Sequence, residues 1–353
     1  MPVASRQETF TEAIRIGMEQ SMHHDDSVIC FGLGVTDPKG VFGTTTGLET
    51  IFGSERVFDM PTSENAMTGV AVGAALGGLR PVMVHQRFDF FLLAMDQLVN
   101  SAAKWRFMFG GAFQIPLTIR LVIGQGWGQG PTHSQNFQSW LTHIPGLKVV
   151  APSTPDDAYH MLLASIQDNN PVIYLEHRWL HNQIGEISNG HSPSLGKARV
   201  VRKGKDITIV CWSNMVVEAI RAAEFLEEYE VSCELVDIRT LRPMDWSAIE
   251  KSVKKTGRLL VLDNGHEMNG YGAEVVARAA SSLFSDLKAA PERVAIPNYP
   301  SPTSFGMTRD YYPDSKKIAQ KVIELCGDFG TVSGGKWEHM PHDVPGSWFR
   351  GPF

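Results

Sequence analysis

The most informative stretch of the chain is Met60–Gly78, which reads MPTSENAMTGVAVGAALGG. Its only carboxylate, Glu64, stands where an extended segment is expected to end and a helix rich in small residues to begin. Ser63 is a residue type that caps helices, and an acid in the first turn suits the helix dipole. The stretch therefore predicts a helix that starts at Glu64.

Three glycines, Gly69, Gly73 and Gly77, recur every four residues along this predicted helix. That spacing puts all three on one helix face. Each glycine lowers helix stability by roughly 1 kcal/mol relative to alanine. Their recurrence predicts that another backbone approaches this face closely, either at a subunit junction or inside a tightly packed domain.

The composition is that of a globular protein with room for two domains. The chain has 353 residues, of which 43% are hydrophobic and 20% charged. Its formal net charge is −6, and it has no long basic run. Nucleic acid and anionic membrane are therefore poor candidate partners.

The cysteines and the apolar runs indicate a cytoplasmic protein. The four cysteines are far apart and form no CxxC pair, which favours reduced core thiols over disulfides or metal ligands. The N-terminal segment lacks an apolar signal core, and no apolar run has membrane-spanning length.

Alternating strand and helix patterns predict two α/β domains, each a parallel sheet covered by helices on both faces. We expect the first domain over residues 1–187, a polar linker over 188–200, the second domain over 201–329 and an extended arm over 330–353. The arm is rich in Gly, Pro and Trp. Its aromatic side chains would be costly to leave in water, so we expect it to dock on a partner chain.

Several motifs together carry a family resemblance. The first half contains, in order, Thr62-Ser63-Glu64, GVAVGAALGGLRP from Gly69, Arg87-Phe88-Asp89-Phe90, MDQLVNSAAK from Met95 and Thr132-His133-Ser134-Gln135. In this set the chain resembles the beta subunit of the decarboxylating component of 2-oxo acid dehydrogenases. VDIRTLRPMD from Val236 resembles the C-terminal domain of transketolase-like enzymes. The resemblance extends from about residue 5 to about residue 325.

The resemblance implies a transketolase-like fold and thiamine diphosphate chemistry shared between two chains. Beta subunits of this kind bind the aminopyrimidine end of the cofactor. A companion alpha subunit holds the diphosphate and its magnesium, usually through a Gly-Asp-Gly motif followed by an Asn. The nearest string here, Asp263-Asn264-Gly265, lies in the second half without the later pattern. We therefore expect an alpha-two beta-two assembly, with the glycine face at a junction with a second beta chain.

Two residues match the catalytic positions of the family. Glu64 matches the carboxyl group that shares a proton with the aminopyrimidine ring, and apolar neighbours would favour that sharing. The alternative for Glu64 is a plain helix-start carboxylate. His133 matches a histidine at the substrate end of the cofactor, where it can donate a proton to an oxyanion. The alternative for His133 is a loop histidine bonded to backbone.

The segment after the predicted strand Pro81–His85 supplies the other cofactor contacts. Phe88 and Phe90 alternate in what we predict is an extended segment, and Phe90 matches an aromatic near the aminopyrimidine. Gln86 would bring an amide toward the cofactor ring, and we count all three side chains as cofactor-binding. Gln86-Arg87 stands where pyruvate-type members carry Met-Thr, and this places a charge near the mouth of the site.

Some members of the family hold a potassium ion with backbone carbonyls. The positions that match this site are Ile115, Leu117, Ser165, Asp168 and Asn170. The alternative is an ordinary turn before Pro171.

Three functions remain open from the sequence. The first is a beta subunit of a 2-oxo acid dehydrogenase that forms an acyl or hydroxyalkyl group on the cofactor and passes it to an acceptor such as a lipoyl group on a carrier protein. The second is a transketolase-like carboligase or ketol transferase in a biosynthetic pathway, which the Gln86-Arg87 departure and the aromatic arm favour. The third is a non-catalytic structural subunit, against which Glu64 and His133 argue.

Overall fold

The computed structural model describes residues 6–124, 128–188, 194–327 and 343–349. The strands are β1 Arg6–Thr9, β2 Val28–Gly32, β3 Val57–Asp59, β4 Arg80–His85, β5 Thr118–Ile123, β6 Lys148–Val150, β7 Val172–His177, β8 Ile184–Ile187, β9 Arg199–Arg202, β10 Ile207–Cys211, β11 Cys233–Asp237, β12 Thr240–Arg242, β13 Leu259–His266 and β14 Glu292–Ile296.

The helices alternate with these strands. They are α1 Phe10–His24, α2 Leu48–Phe52, α3 Glu64–Leu76, α4 Phe88–Phe91, α5 Trp105–Met108, α6 Gln138–His143, α7 Pro155–Gln167, α8 Met215–Leu226, α9 Trp246–Thr256, α10 Tyr271–Ser282, α11 Phe305–Thr308 and α12 Ser315–Cys326.

The first half forms a seven-stranded sheet in the order β12-β6-β7-β5-β4-β2-β3. Its strands are parallel except for β12, which comes from the second half and pairs antiparallel with β6. On one face α1 packs against α7, and their apolar residues form a core with Val82 and Val122 of the sheet. On the other face α3 contributes Met67 and Ala71 to a core with Met83. This half therefore has the predicted three layers.

The second half forms a five-stranded sheet in the order β14-β13-β10-β11-β9, parallel except for β9. α8 and α12 cover one face. The other face is covered by α9 and α10, whose core residues Ile249 and Val275 belong to the same cluster as α3 in the first half. One hydrophobic core thus runs between the two sheets.

The region from Phe88 to Met108 differs from the prediction. The sequence pattern predicts an extended segment and then one helix over Phe91–Trp105. The structure instead has α4, a 3₁₀ turn at Leu92–Ala94, a π-helical turn at Gln97–Ala102 and α5. The wider π turn adds a residue that a regular helical period does not anticipate.

The linker and the C-terminal arm also differ in part from the prediction. β8 pairs antiparallel with β1 in a separate two-stranded sheet just before the predicted linker. β9 begins at Arg199, inside that linker, because it adds an antiparallel strand to the edge of the second sheet. Residues 189–193 of that linker, and all of the arm except 343–349, lie outside the described residues. The described part of the arm docks on its own chain: the Trp348 indole N–H donates to the Trp179 carbonyl at 3.3 Å, and Arg221 stacks on Trp348 at 4.7 Å.

All four cysteines are free thiols, as predicted, and three of them are buried. Among the described residues, no helix has both the length and the apolar character needed to cross a bilayer.

Candidate active site

A cavity of about 820 Å³ opens at the carboxyl ends of four neighbouring parallel strands. Its walls come from the loops after β2, β4, β5 and β7. In open α/β sheets this edge is where ligands bind. Residues from the whole first half thus meet at one place, although they are up to about 170 residues apart in sequence.

Three of the predicted site residues meet in this cavity. Gln86 follows β4, Phe90 lies on α4 and His133 lies on the loop after β5, and all three line its wall. The Phe90 ring is 41% exposed and meets the His133 ring edge-on, with 5.3 Å between centroids. The Thr132 hydroxyl lies 3.1 Å from His133 Nδ1. Nε2 has no partner among the described residues, so it is the nitrogen available to a ligand.

Phe88 lies elsewhere. Its side chain is fully buried and packs against Phe91 and Phe137 in the core. Residues 88–91 form a helical turn rather than a strand. Phe88 and Phe90 therefore differ in exposure because they lie on different faces of a helix, and not because side chains alternate along a strand. A direct contact of Phe88 with a cofactor stays a prediction.

Glu64 is the first residue of α3 and is 7% exposed. Among the described residues its carboxylate has no hydrogen-bond or ion-pair partner, and it lies outside the lining of the large cavity. Ser63 occupies the cap position, but its side chain makes no capping hydrogen bond, contrary to the sequence expectation. A cofactor ring nitrogen that shares a proton would give this carboxylate a partner.

The loop that carries His133 is held from two sides. Asp89 of α4 accepts a hydrogen bond from the Gln135 side chain at 2.7 Å, which ties the loop to the helix of Phe90. The Ser134 hydroxyl donates to backbone carbonyls within the loop. A Cβ on Gly130 would lie 2.4 Å from the Thr303 hydroxyl, so the second half approaches this loop too closely for a side chain.

The string Asp263-Asn264-Gly265 holds the segment that follows the His133 loop. The Asn264 carbonyl accepts from the Asn136 amide, and Asp263 accepts from the Gln138 amide at 2.8 Å. Its role in the described structure is thus structural, as its position outside the cofactor motif implied.

Several residues of the cavity were missed by the sequence reasoning. Phe42 and Lys39 come from the loop after β2, and Arg178 follows β7. Arg87 was expected at an open mouth, but it is 3% exposed and donates to the Gly124 carbonyl at 2.8 Å. The sequence does contain one signal for these residues, because Arg87 and Arg178 follow shortly after β4 and β7. That they lie on one cavity wall depends on the order of the strands in the sheet.

A buried ion pair lies in the two central strands beneath the cavity. Arg120 of β5 donates to both oxygens of Glu176 of β7, at 2.6 and 3.0 Å, and neither side chain is exposed. Burial alone would raise the pKa of Glu176, but Arg120 and His181 bring it below its usual value. His181 lines the cavity, and burial lowers its pKa to about 4, so its ring is neutral at physiological pH.

The five residues matched to a potassium site lie close in the fold. The Asp168 carboxylate forms an ion pair with Lys148 and accepts from the Asn170 backbone N–H at 2.9 Å. The Ile115 N–H donates to the Asn169 carbonyl at 3.2 Å, which joins the segment before β5 to this turn. The described residues contain no group of three or more His, Cys, Asp and Glu side chains that could hold a metal ion.

The glycine face of α3 is open. A Cβ on Gly73 would meet nothing within 4 Å, and one on Gly69 would only touch the Gln97 side chain at 3.7 Å. Gly77 caps the helix at its C-terminus. No backbone within the described ranges packs on the face at Gly73, so packing inside the described part of the chain does not explain the glycine there.

Comparisons with known proteins match each half of the chain to a different domain family. The transketolase pyrimidine-binding domain matches residues 6–183, and the transketolase C-terminal domain matches residues 196–318. A structure described as a split-gene transketolase, an inactive beta4 tetramer, covers 90% of this chain and 99% of its own with a TM-score of 0.72. At 18% identity it shows the fold alone.

Curated relatives extend over nearly the whole chain. The pyruvate dehydrogenase E1 component subunit beta of Rickettsia bellii is 38% identical over 319 residues, which cover 90% of this chain and 98% of that one. The acetoin:2,6-dichlorophenolindophenol oxidoreductase subunit beta of Cupriavidus necator is 39% identical over 335 residues, 92% of this chain and 97% of that one. The chain belongs to the family of beta subunits of the thiamine diphosphate-dependent decarboxylating component of 2-oxo acid dehydrogenases.

Proposed function

We propose that this chain is a catalytic beta subunit that acts with a separate alpha subunit on a 2-oxo acid and passes an acyl or hydroxyalkyl group to an acceptor such as a lipoyl group. The observation that carries the proposal is Glu64, which is 7% exposed at the start of α3 and whose carboxylate has no partner among the described residues. Gln86, Phe90 and His133 in one cavity add the polar and aromatic contacts that a substrate needs.

The residues present fit the aminopyrimidine half of thiamine diphosphate. Glu64 would share a proton with a ring nitrogen, and the exposed Phe90 ring would offer an aromatic contact to the cofactor. When bound, the cofactor supplies the carbon nucleophile and the electron sink. We assign its diphosphate and magnesium to the alpha subunit, in an alpha-two beta-two assembly whose two beta chains meet at the glycine face of α3.

The chain's own groups then divide the proton chemistry. The Glu64 carboxyl holds a proton at the pyrimidine end of the site. His133 Nε2 donates to an oxyanion at the substrate end, with Nδ1 engaged by Thr132. Gln86 lies on the wall of the cavity and would bring its amide toward the cofactor ring.

Two further assignments belong to this proposal. A potassium ion would bind at Ile115, Leu117, Ser165, Asp168 and Asn170, where its role would be to hold the turn after α7. The complex would work in the cytoplasm, since its cysteines are free thiols.

A second candidate function, a carboligase or ketol transferase, is favoured by one observation. Arg87 brings a buried positive charge to the cavity wall, next to Gln86. A phosphorylated or carboxylated acceptor would suit such a wall.

The test is reconstitution with the companion alpha subunit and a product assay on a panel of 2-oxo acids. The acceptors would be a lipoyl domain, an artificial electron acceptor and short aldehydes. Transfer to the lipoyl domain or the electron acceptor supports the first function, and exclusive joining to an aldehyde supports the second. An assembled complex that decarboxylates none of the acids and transfers to none of the acceptors would overturn both.

A further inference from the structure

The described end of the C-terminal arm, residues 343–349, packs against the rest of the chain. It lies beyond the match to the transketolase C-terminal domain, which ends at residue 318, so its contacts do not follow from that match. Pro345 and Gly346 are buried, although the segment contains neither a helix nor a strand. The Phe349 N–H donates to the Gly346 carbonyl at 3.2 Å, which closes a turn at the end of the described segment.

Trp348 in this turn contacts both halves of the chain. Its indole N–H donates at 3.3 Å to the carbonyl of Trp179, in the turn that follows β7 of the first half. The guanidinium carbon of Arg221, on α8 of the second half, lies 4.7 Å from the centre of the Trp348 ring. The Tyr312 ring lies 5.5 Å from that of Trp179 and adds a further contact between the halves. The arm is therefore anchored at the residue that directly follows Arg178.

Phe349 contacts Arg178 itself. The guanidinium carbon of Arg178 lies 5.7 Å from the centre of the Phe349 ring and 4.7 Å from that of the Phe42 ring. Arg178 and Phe42 both line the active-site cavity, and Arg178 is only 4% exposed. Aromatic rings packed on a guanidinium group hold a long side chain in one position. The arm thus contacts a residue of the cavity wall from outside the cavity.

We propose that the C-terminal arm is part of the active site, in which Trp348 anchors the arm and Phe349 positions the Arg178 guanidinium group on the cavity wall. Both arm residues are positioning residues, since neither lines the cavity. The inference rests on the proposed function for what the cavity binds. Loss of the Phe349 ring would let Arg178 leave its place, which changes the shape and charge of the wall and weakens substrate binding.

Chemical modification of the assembled complex tests the contact without any turnover. Phenylglyoxal reacts with guanidinium groups that it can reach, and mass spectrometry of the digested chain measures the modification of each arginine separately. We expect Phe349→Ala to raise the rate of modification of Arg178 on the order of 2- to 30-fold, the range that the loss of a cation–π contact gives. Phe349→Tyr, which keeps the ring, should keep Arg178 protected.

Phe52→Ala is the matched control. The guanidinium carbon of Arg56 lies 5.1 Å from the centre of the Phe52 ring, and neither residue lines the cavity. This variant also removes a phenyl ring from an arginine, but it should leave the modification rate of Arg178 unchanged. The proposal is overturned if Arg178 is as protected in Phe349→Ala as in the wild type, or if the control exposes it equally. Should Phe349→Ala not assemble, Phe349→Leu replaces it, with the same expectation in smaller degree.

Kinetics show whether the arm acts through Arg178. With the 2-oxo acid that the complex uses, we expect Phe349→Ala to raise KM on the order of 2- to 30-fold and to change kcat by less than about twofold. In an Arg178→Gln background the same change should have no further effect, because the guanidinium group that the ring positions is then absent. Effects that multiply in the double variant would show that the arm acts by another route and would overturn the proposal.

The two measurements separate this inference from the proposed function. A complex that turns over no 2-oxo acid refutes the proposed function, and the modification of Arg178 still decides whether Phe349 positions it. An active complex in which Phe349→Ala changes neither the modification rate nor KM refutes the inference alone. Faster modification with an unchanged KM would make the contact purely structural, and it would overturn the inference as well.

Discussion

At the scale of single residues, we propose that Glu64 and His133 divide the chemistry. Glu64 is nearly buried at the start of a helix and has no partner among the described residues. His133 lies on the cavity wall with one ring nitrogen engaged and the other available. In the proposed function the two residues act on different ends of the same bound molecule.

His133→Ala should leave activation of the cofactor nearly unchanged and slow the later step that involves the substrate oxygen. Removing a donor to an oxyanion in a water-poor site costs on the order of 10²–10³ in rate. Rapid-quench measurement of each step in the assembled complex checks this. A variant that transfers at the normal rate but activates the cofactor slowly would reverse the two assignments.

The site residues that the sequence revealed are those that carry a local motif. Glu64 could be predicted because a helix of small residues follows it directly, and His133 because of its glycine-bearing loop. Phe42 and Arg178 could not, since each stands in a loop without a motif. They reach the cavity only because β2 and β7 end at the same edge of the sheet.

At the scale of elements, helix capping and the regular spacing of apolar residues explain which helices and strands could be predicted. The apolar spacing predicts helices over Pro155–Gln167 and Trp246–Thr256, which are the bounds of α7 and α9. These bounds are well defined because Thr154 and Asp245 each accept a hydrogen bond from the first turn of the helix that follows. β9 and β12 were missed because each is a short antiparallel strand. Such a strand forms because it pairs with a segment that is distant in sequence, so its own few residues show little periodic pattern.

Gly73→Leu should leave the fold of the single chain intact but prevent assembly. A Cβ at Gly73 meets no described atom within 4 Å, and leucine favours helix more than glycine does. At a close junction of two helices the same side chain would overpack, at about 1–3 kcal/mol or more. Size-exclusion chromatography with light scattering checks the assembly, and Lys251→Leu on exposed α9 is the control. An intact heterotetramer of the Gly73 variant would show that this face is not the junction.

Arg120→Met should destabilise the first domain by about 3–5 kcal/mol, because it leaves the buried Glu176 carboxylate without its counter-charge. Denaturant unfolding of the assembled complex measures the loss. Adding Glu176→Leu to the same chain should restore much of the stability, since the stranded charge is then gone. A double variant as unstable as the single one would mean that lost packing, and not lost pairing, sets the cost.

At the scale of the whole molecule, a buried polar cluster joins the two halves. Asp157 of α7 accepts from Arg199 and Arg239, each at 2.8 Å, and Arg199 also reaches Asp237 of β11 at 3.2 Å. Burial and the Asp157 charge raise the pKa of Asp237 to about 6. The junction thus contains a carboxyl group that titrates near physiological pH.

This group makes stability depend on pH in a defined direction. In the unfolded chain Asp237 loses its proton near pH 4, whereas in the folded chain it keeps the proton to about pH 6. Its contribution to stability is therefore complete below about pH 4 and is lost as the pH rises through 6, by up to about 1.4 kcal/mol per pH unit. Asp237→Asn should flatten the pH dependence of unfolding between pH 4 and 6. An unchanged slope in the variant would contradict the assignment.

The central claim is that this chain supplies the carboxyl group that activates thiamine diphosphate in a site completed by an alpha subunit. The most direct test is proton–deuterium exchange at the thiazolium carbon of the cofactor in the assembled complex, with Glu64→Gln beside the wild type. The amide cannot share the proton as the carboxyl group does, so exchange should fall by on the order of 10²–10⁴ while assembly is retained. A wild-type exchange rate in the assembled variant would contradict the account.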